Sequence, residues 1–169
     1  MSVKKAPGSP GVIGPLAMQC LVFQVAGDVF AIDIRHVREI IQYAGLTVVP
    51  NMPAFLRGVV NLRGSVVPVV DVNARLFGDR SPIVKRSSVI IAEVVSEGAR
   101  VDIGLLVDAV SEVIPMAQSN IETPPQFGNA IPREFILGLG KHRNTFVVIV
   151  DPEKVLDVDA MALLIEQSC

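Results

Sequence analysis

The chain has 169 residues, room for one ordinary domain or two very small ones, and its 15 Lys+Arg against 17 Asp+Glu leave a net charge of −2. That near-balance argues against a general nucleic-acid binder, which carries a basic surplus to engage phosphates. A chain that is 50% hydrophobic and 19% charged is not disordered, and its 28 Val and 15 Ile against 13 Leu favour a mostly β protein, because β-branched side chains suit a pleated sheet.

The longest charge-free run, 6–27, is broken by Pro7, Gly8, Pro10, Gly11, Gly14 and Pro15 and then interrupted by Gln19 and Gln24. It therefore reads neither as an export signal nor as a membrane span, although Lys4 and Lys5 precede it. Residues 1–17 are expected to be a flexible tail on a soluble, cytoplasmic protein that does not insert into the membrane. Alternation over 19–25, a tight turn at Gly27-Asp28 and a strand over 29–32 predict a hairpin. Asp33 is placed to cap a short helical turn that sets Ile34, Val37 and Ile41 on one face. Strands over 58–62 and 65–70 flank Arg63-Gly64, strands over 89–95 and 101–107 bracket Ser96-Glu97-Gly98, and a third pair covers 136–139 and 145–150. A terminal amphipathic helix is expected over 157–166, carrying Met161, Leu163, Leu164 and Ile165. Cys20 and Cys169 are too few and too far apart to staple a fold and read as free thiols.

Part of this pattern is said twice. Val67-Pro68-Val69-Val70-Asp71 followed by Leu76 recurs 80 positions on as Val147-Val148-Ile149-Val150-Asp151 followed by Leu156. Phe55, Gly58 and Arg63 recur at that offset as Phe135, Gly138 and Arg143. At an offset of 73, the block from Ala31 through Val37, Glu39 and Ile40 matches the block from Gly104 through Val110, Glu112 and Val113. A duplication of short strands predicts two small barrels, approximately 18–80 and 86–156, rather than one broad sheet.

Catalytic and metal-binding patterns are absent. His36 and His142 stand alone without zinc-ligand spacing, and Gly138-Leu139-Gly140 lacks the third glycine and the βαβ setting of a dinucleotide loop. Asp71 and Asp151 each end an apolar strand, where capping the following turn is the commoner use of Asp than a catalytic pair. No enzyme, cofactor or metal is expected. Val37, between Arg35, His36, Arg38 and Glu39, reads either as a core residue or as one wall of an apolar groove whose other wall is Val110. Such a groove between two barrels accepts an amphipathic helix through its i, i+3, i+4, i+7 positions. Arg63, in a hairpin turn, is either a solvated charge or a fork for a carboxylate.

These residues resemble the CheW family of bacterial chemotaxis coupling proteins. The resemblance runs from Cys20 to Leu164 and is most specific in Pro53-Ala54-Phe55-Leu56-Arg57-Gly58-Val59-Val60-Asn61-Leu62-Arg63-Gly64. It implies a CheW-like domain over 18–166, with two five-stranded SH3-like barrels packed around a shared hydrophobic core. It also implies a non-catalytic adaptor between the cytoplasmic tips of methyl-accepting chemoreceptors and the regulatory domain of the histidine kinase CheA, recruited to membrane-associated arrays. Receptor contact in that family is attributed to the groove between barrels, and carries over to Val37, Gly58, Arg63 and Val110. Glu39 and Arg63 are further expected to form an ion pair orienting the groove's rim, with Glu112 and Arg143 as their counterpart; an exposed pair contributes little stability, so its use would be positional. The alternatives are the same fold in a non-flagellar chemosensory array, for twitching motility or surface sensing, and a small-barrel nucleic-acid binder. The last needs stacking aromatics beside basic residues, and the chain offers seven Phe and one isolated Tyr, Tyr43.

Overall fold

A computed structural model describes residues 18–123 and 131–157. The tail 1–17 and nearly all of the terminal helix expected over 157–166 lie outside the described residues, as does Cys169. The first hairpin joins β1 (Met18–Val25) to β2 (Asp28–Asp33). Its turn is Ala26-Gly27, one residue earlier than expected, with φ of 54° and 83°. Positive φ at both central residues matches the right-handed twist of the flanking strands, and Arg63-Gly64, Glu97-Gly98 and Arg143-Asn144 repeat it.

After β2, Asp33 accepts a hydrogen bond from the Arg35 N–H at 3.0 Å, but the turn it caps is only Ile34–His36. The chain then enters β3 (Val37–Gln42), so the expected helical face of Ile34, Val37 and Ile41 is corrected. The β-branched Val37, Ile40 and Ile41 pair with a neighbouring strand, and tertiary pairing overrides a local capping signal. Next come β4 (Leu56–Leu62) and β5 (Ser65–Asp71), the helix α1 (Val72–Phe77), β6 (Ser88–Ser96) and β7 (Ala99–Val107). β8 (Ala109–Met116) and the two-residue β9 (Ile121–Glu122) are strands the pattern did not announce. β10 (Ile136–His142), β11 (Thr145–Val150) and the short helix α2 (Pro152–Val155) complete the described chain.

These strands form two sheets, in the order β8-β1-β2-β11-β10-β9 and β3-β6-β7-β5-β4. The sheets do not follow the expected division between 80 and 86. The hairpin β1–β2 leaves its own half to pair with β8 and, in parallel, with β11, while β6–β7 joins the first half through the parallel pair β5–β7. Each sheet closes through one continuous segment. Beyond β3, Thr47 exchanges hydrogen bonds of 2.9 and 2.8 Å with Val59 of β4, at the opposite end of the sheet. Beyond β8, the chain turns through Gln118–Asn120 into β9, which pairs with β10. The duplication is therefore physical: β-bulges at Arg38 and Ser111, and at Arg57 and Leu137, fall at equivalent places in the two copies.

Strand alternation divides the apolar side chains among three cores. Val22, Ile114, Met116 and Ile149 fill one barrel, and Val67, Val69, Val89 and Leu106 fill the other. A larger core between them takes Phe23, Phe30, Ile32, Phe55, Val70, Leu105, Phe135 and Val150 from both halves. Among the described residues no helix is long and apolar enough to cross a membrane.

Candidate functional site

Where the two sheets meet, β3 of one and β8 of the other line an open groove of about 410 Å³. Ile40, Ile41 and Gln42 supply one wall, Val110 the facing one, and Lys85 and Arg86 reach its rim from the loop before β6. Ile40 is 43% exposed, and Val113, further along β8, is 49% exposed. Val37 is not among its lining residues. Both Val37 and Val110 are half-buried and pack against the shared central core. The sequence assigned neither Ile40 nor Ile41 to the groove, because the helical reading set Ile41 on one face with Ile34 and Val37, whereas in β3 both lie along the groove's wall.

Gly58 is buried on β4 at the seam where the sheet closes, and a Cβ there would overlap the Thr47 carbonyl oxygen. At Gly138 a Cβ would lie 2.6 Å from the Ile121 side chain and 3.0 Å from the Glu122 carbonyl oxygen of β9. Glycine recurs at this offset because the closing segment of each barrel passes directly over it.

The Arg63 Nη2 donates to Glu39 Oε2 at 2.6 Å, and this carboxylate raises the guanidinium's pKa above its ordinary value. The corresponding expectation for Glu112 and Arg143 is corrected: both side chains are exposed and they form no ion pair. Full solvation leaves too little attraction to hold two long side chains in one geometry. Beside Arg63 a second set of charges joins Arg38 to Glu93 at 2.7 Å and to Asp102 at 3.6 Å, with Arg100 3.4 Å from Glu93. These line a separate cleft of about 490 Å³ floored by Val66, Val67 and Pro68.

Asp33 anchors the start of β3. Burial pushes its carboxyl pKa up, but the side-chain and backbone hydrogen bonds of Arg35, with that residue's charge, outweigh this and hold it below the usual carboxylate value. Burial also pushes the Cys20 thiol up to about 11, aided by Asp33, which keeps it protonated and unreactive at neutral pH. Asp71 and Asp151 cap α1 and α2, accepting from the Ala74 N–H at 3.2 Å and the Glu153 N–H at 3.0 Å. The described residues contain no group of three or more His, Cys, Asp or Glu that could hold a metal ion.

A family model described as the CheW-like domain matches residues 19–160. The chain is 34% identical to the chemotaxis protein CheW of Klebsiella aerogenes, over 88% of this chain and 87% of that protein. It is 28% identical to the protein PilI of Pseudomonas aeruginosa, over 61% of this chain and 57% of that one. The crystal structure of the scaffolding protein TtCheW from Thermoanaerobacter tengcongensis is similar with a TM-score of 0.71 and 33% identity, covering 83% of this chain and 88% of that one.

Proposed function

Because the chain belongs to the CheW-like family, whose members are non-catalytic scaffolds of chemotaxis signalling, we propose that it is the adaptor joining the cytoplasmic tips of methyl-accepting chemoreceptors to the regulatory domain of the histidine kinase CheA. The observation that carries this reading is the groove between β3 and β8, open, with apolar side chains on each wall and built from two different sheets. A helix laid along it buries Ile40 and Val110 against its own apolar stripe. Val37, Gly58, Arg63 and Val110 serve receptor coupling in different ways. Val110 touches the helix, Val37 supports it from the core, Gly58 keeps the barrel closed behind β3, and Arg63 holds Glu39 midway along that strand. Kinase docking uses the barrels themselves: each leaves an apolar side chain at the same place in its hairpin, Val66 at 67% and Phe146 at 53% exposure, suited to packing on a barrel of like construction. The protein acts in the cytoplasm and is recruited to receptor arrays at the membrane.

Reconstitution tests this directly. Mixed with receptor-bearing membranes and kinase, the protein is expected to co-sediment and to raise kinase autophosphorylation, which stays basal without it. A folded Val110→Asp variant is expected to do neither. Receptor-dependent kinase activity that is equal with and without the protein would sink the reading. The similarity to PilI is compatible with a second reading, the same adaptor in a non-flagellar array; receptors from the two kinds of pathway, compared in the same assay, separate them.

A further inference from the structure

The groove's rim carries charge of one sign only. Among the described residues Lys85 and Arg86 are the sole charged residues lining it, and no acidic residue lines its walls. Neither cation forms an ion pair within 4 Å among the described residues. This is a local excess on a chain whose overall charge is −2. The loop that presents them is also held in place. The Ser87 carbonyl accepts from the Tyr43 N–H at 3.1 Å, just past the end of β3. The Ser87 Oγ accepts from the Val84 N–H at 2.8 Å, and the Ser87 N–H donates to the Val84 carbonyl at 3.0 Å. Ser87 itself is buried, so the turn bearing the two cations is tied to the wall of the groove it flanks.

We propose that this groove selects an amphipathic helix bearing carboxylates along the flank beside its apolar stripe, and that Lys85 and Arg86 are the residues that select it. The inference rests on the helix-docking reading above and adds the partner's charge and orientation. Apolar burial along Ile40 and Val110 supplies affinity without regard to direction, because a stripe at i, i+3, i+4, i+7 reads similarly both ways. A fixed pair of cations on one side distinguishes the two, and penalises any helix that brings lysines there. Because both cations are exposed, their contribution falls with added salt.

Three synthetic helical peptides with one leucine stripe and a flank of Glu, Gln or Lys test this by fluorescence anisotropy against the full chain. The Glu-flanked peptide is expected to bind about three- to tenfold more tightly than the Gln-flanked one at low salt, the Lys-flanked peptide most weakly, and the spread to collapse at high salt. The double variant K85E/R86E, altered only at exposed positions, is expected to reverse the order. If all three peptides bind alike and K85E/R86E changes nothing, the charge selection is wrong while the groove stands. If Val110→Asp, with its fold intact, leaves the binding of all three unaffected, or none binds at all, docking in this groove is wrong and the selection falls with it.

Discussion

At the scale of single residues, glycine at 58 and 138 marks where each barrel is sewn shut. Gly58 has φ of +153°, and a side chain there would meet the Thr47 carbonyl that bonds β4 across the seam. Gly27 also has a positive φ, +83°, but open space around its missing Cβ. Gly58→Ala should therefore lower the chemical denaturation midpoint by more than Gly27→Ala does, the backbone strain alone being on the order of 1–3 kcal/mol. Equal midpoints for the two variants would contradict the seam. The recurrence of this glycine was legible in the sequence; its reason was not, since the residue it must clear is eleven positions away and arrives only when the sheet closes. The two bulges nearby have diverged. Arg57 donates to the fully buried Asp71 at 2.7 Å and to the Ser81 carbonyl at 2.9 Å, whereas Leu137, its counterpart, is 50% exposed.

At the scale of elements, α1 locks one half of the chain to the other. Arg75 donates its Nε–H to the Val155 carbonyl of α2 at 2.8 Å, and its guanidinium lies 5.4 Å from the Phe55 ring centre and 4.8 Å from that of Phe135. Phe55 and Phe135 are the same position in the two copies, so a single cation sits between repeat-related rings. Burial lowers the Arg75 pKa, against the pull of Asp157 and Glu134, yet leaves it charged at neutral pH. Arg75→Met keeps the side chain's length while removing both interactions and leaving a carbonyl unpaired, a loss of about 1–3 kcal/mol. Thermal unfolding should show a clear drop in midpoint, partly restored in Arg75→Lys; an unchanged midpoint in Arg75→Met rules the clamp out. Elements were read well where hairpin turns announced them and poorly at β3 and β8. Each has a bulge within its first three residues, and bulges disturb the strict alternation by which a strand is recognised.

At the scale of the whole molecule, the exchange of hairpins makes the two barrels one cooperative unit. Without β1 and β2 the six-stranded sheet loses two of its central strands, and without β6 and β7 the five-stranded sheet loses two of its own. The full chain should unfold in a single transition, and fragments 1–80 and 81–169 expressed separately should show none. A cooperative transition in either fragment alone would mean that the halves are independent domains. The exchange is also what makes the groove, because β3 and β8 face each other across the shared core only when each sheet borrows strands from the other half of the chain.

Read alone, the amino-acid order determined that the protein is built of short β-strands, that it is duplicated, and that Val110 and the Glu39–Arg63 pair were worth attention, because hydrophobic alternation, turn chemistry and repetition are local signals. Only the tertiary structure decided which strands share a sheet, why glycine holds position 58, and that Ile40, Ile41, Lys85 and Arg86 surround one groove. Strand partnership and the closing of a barrel depend on contacts between residues far apart along the chain, and no local pattern encodes which distant edge a strand will meet.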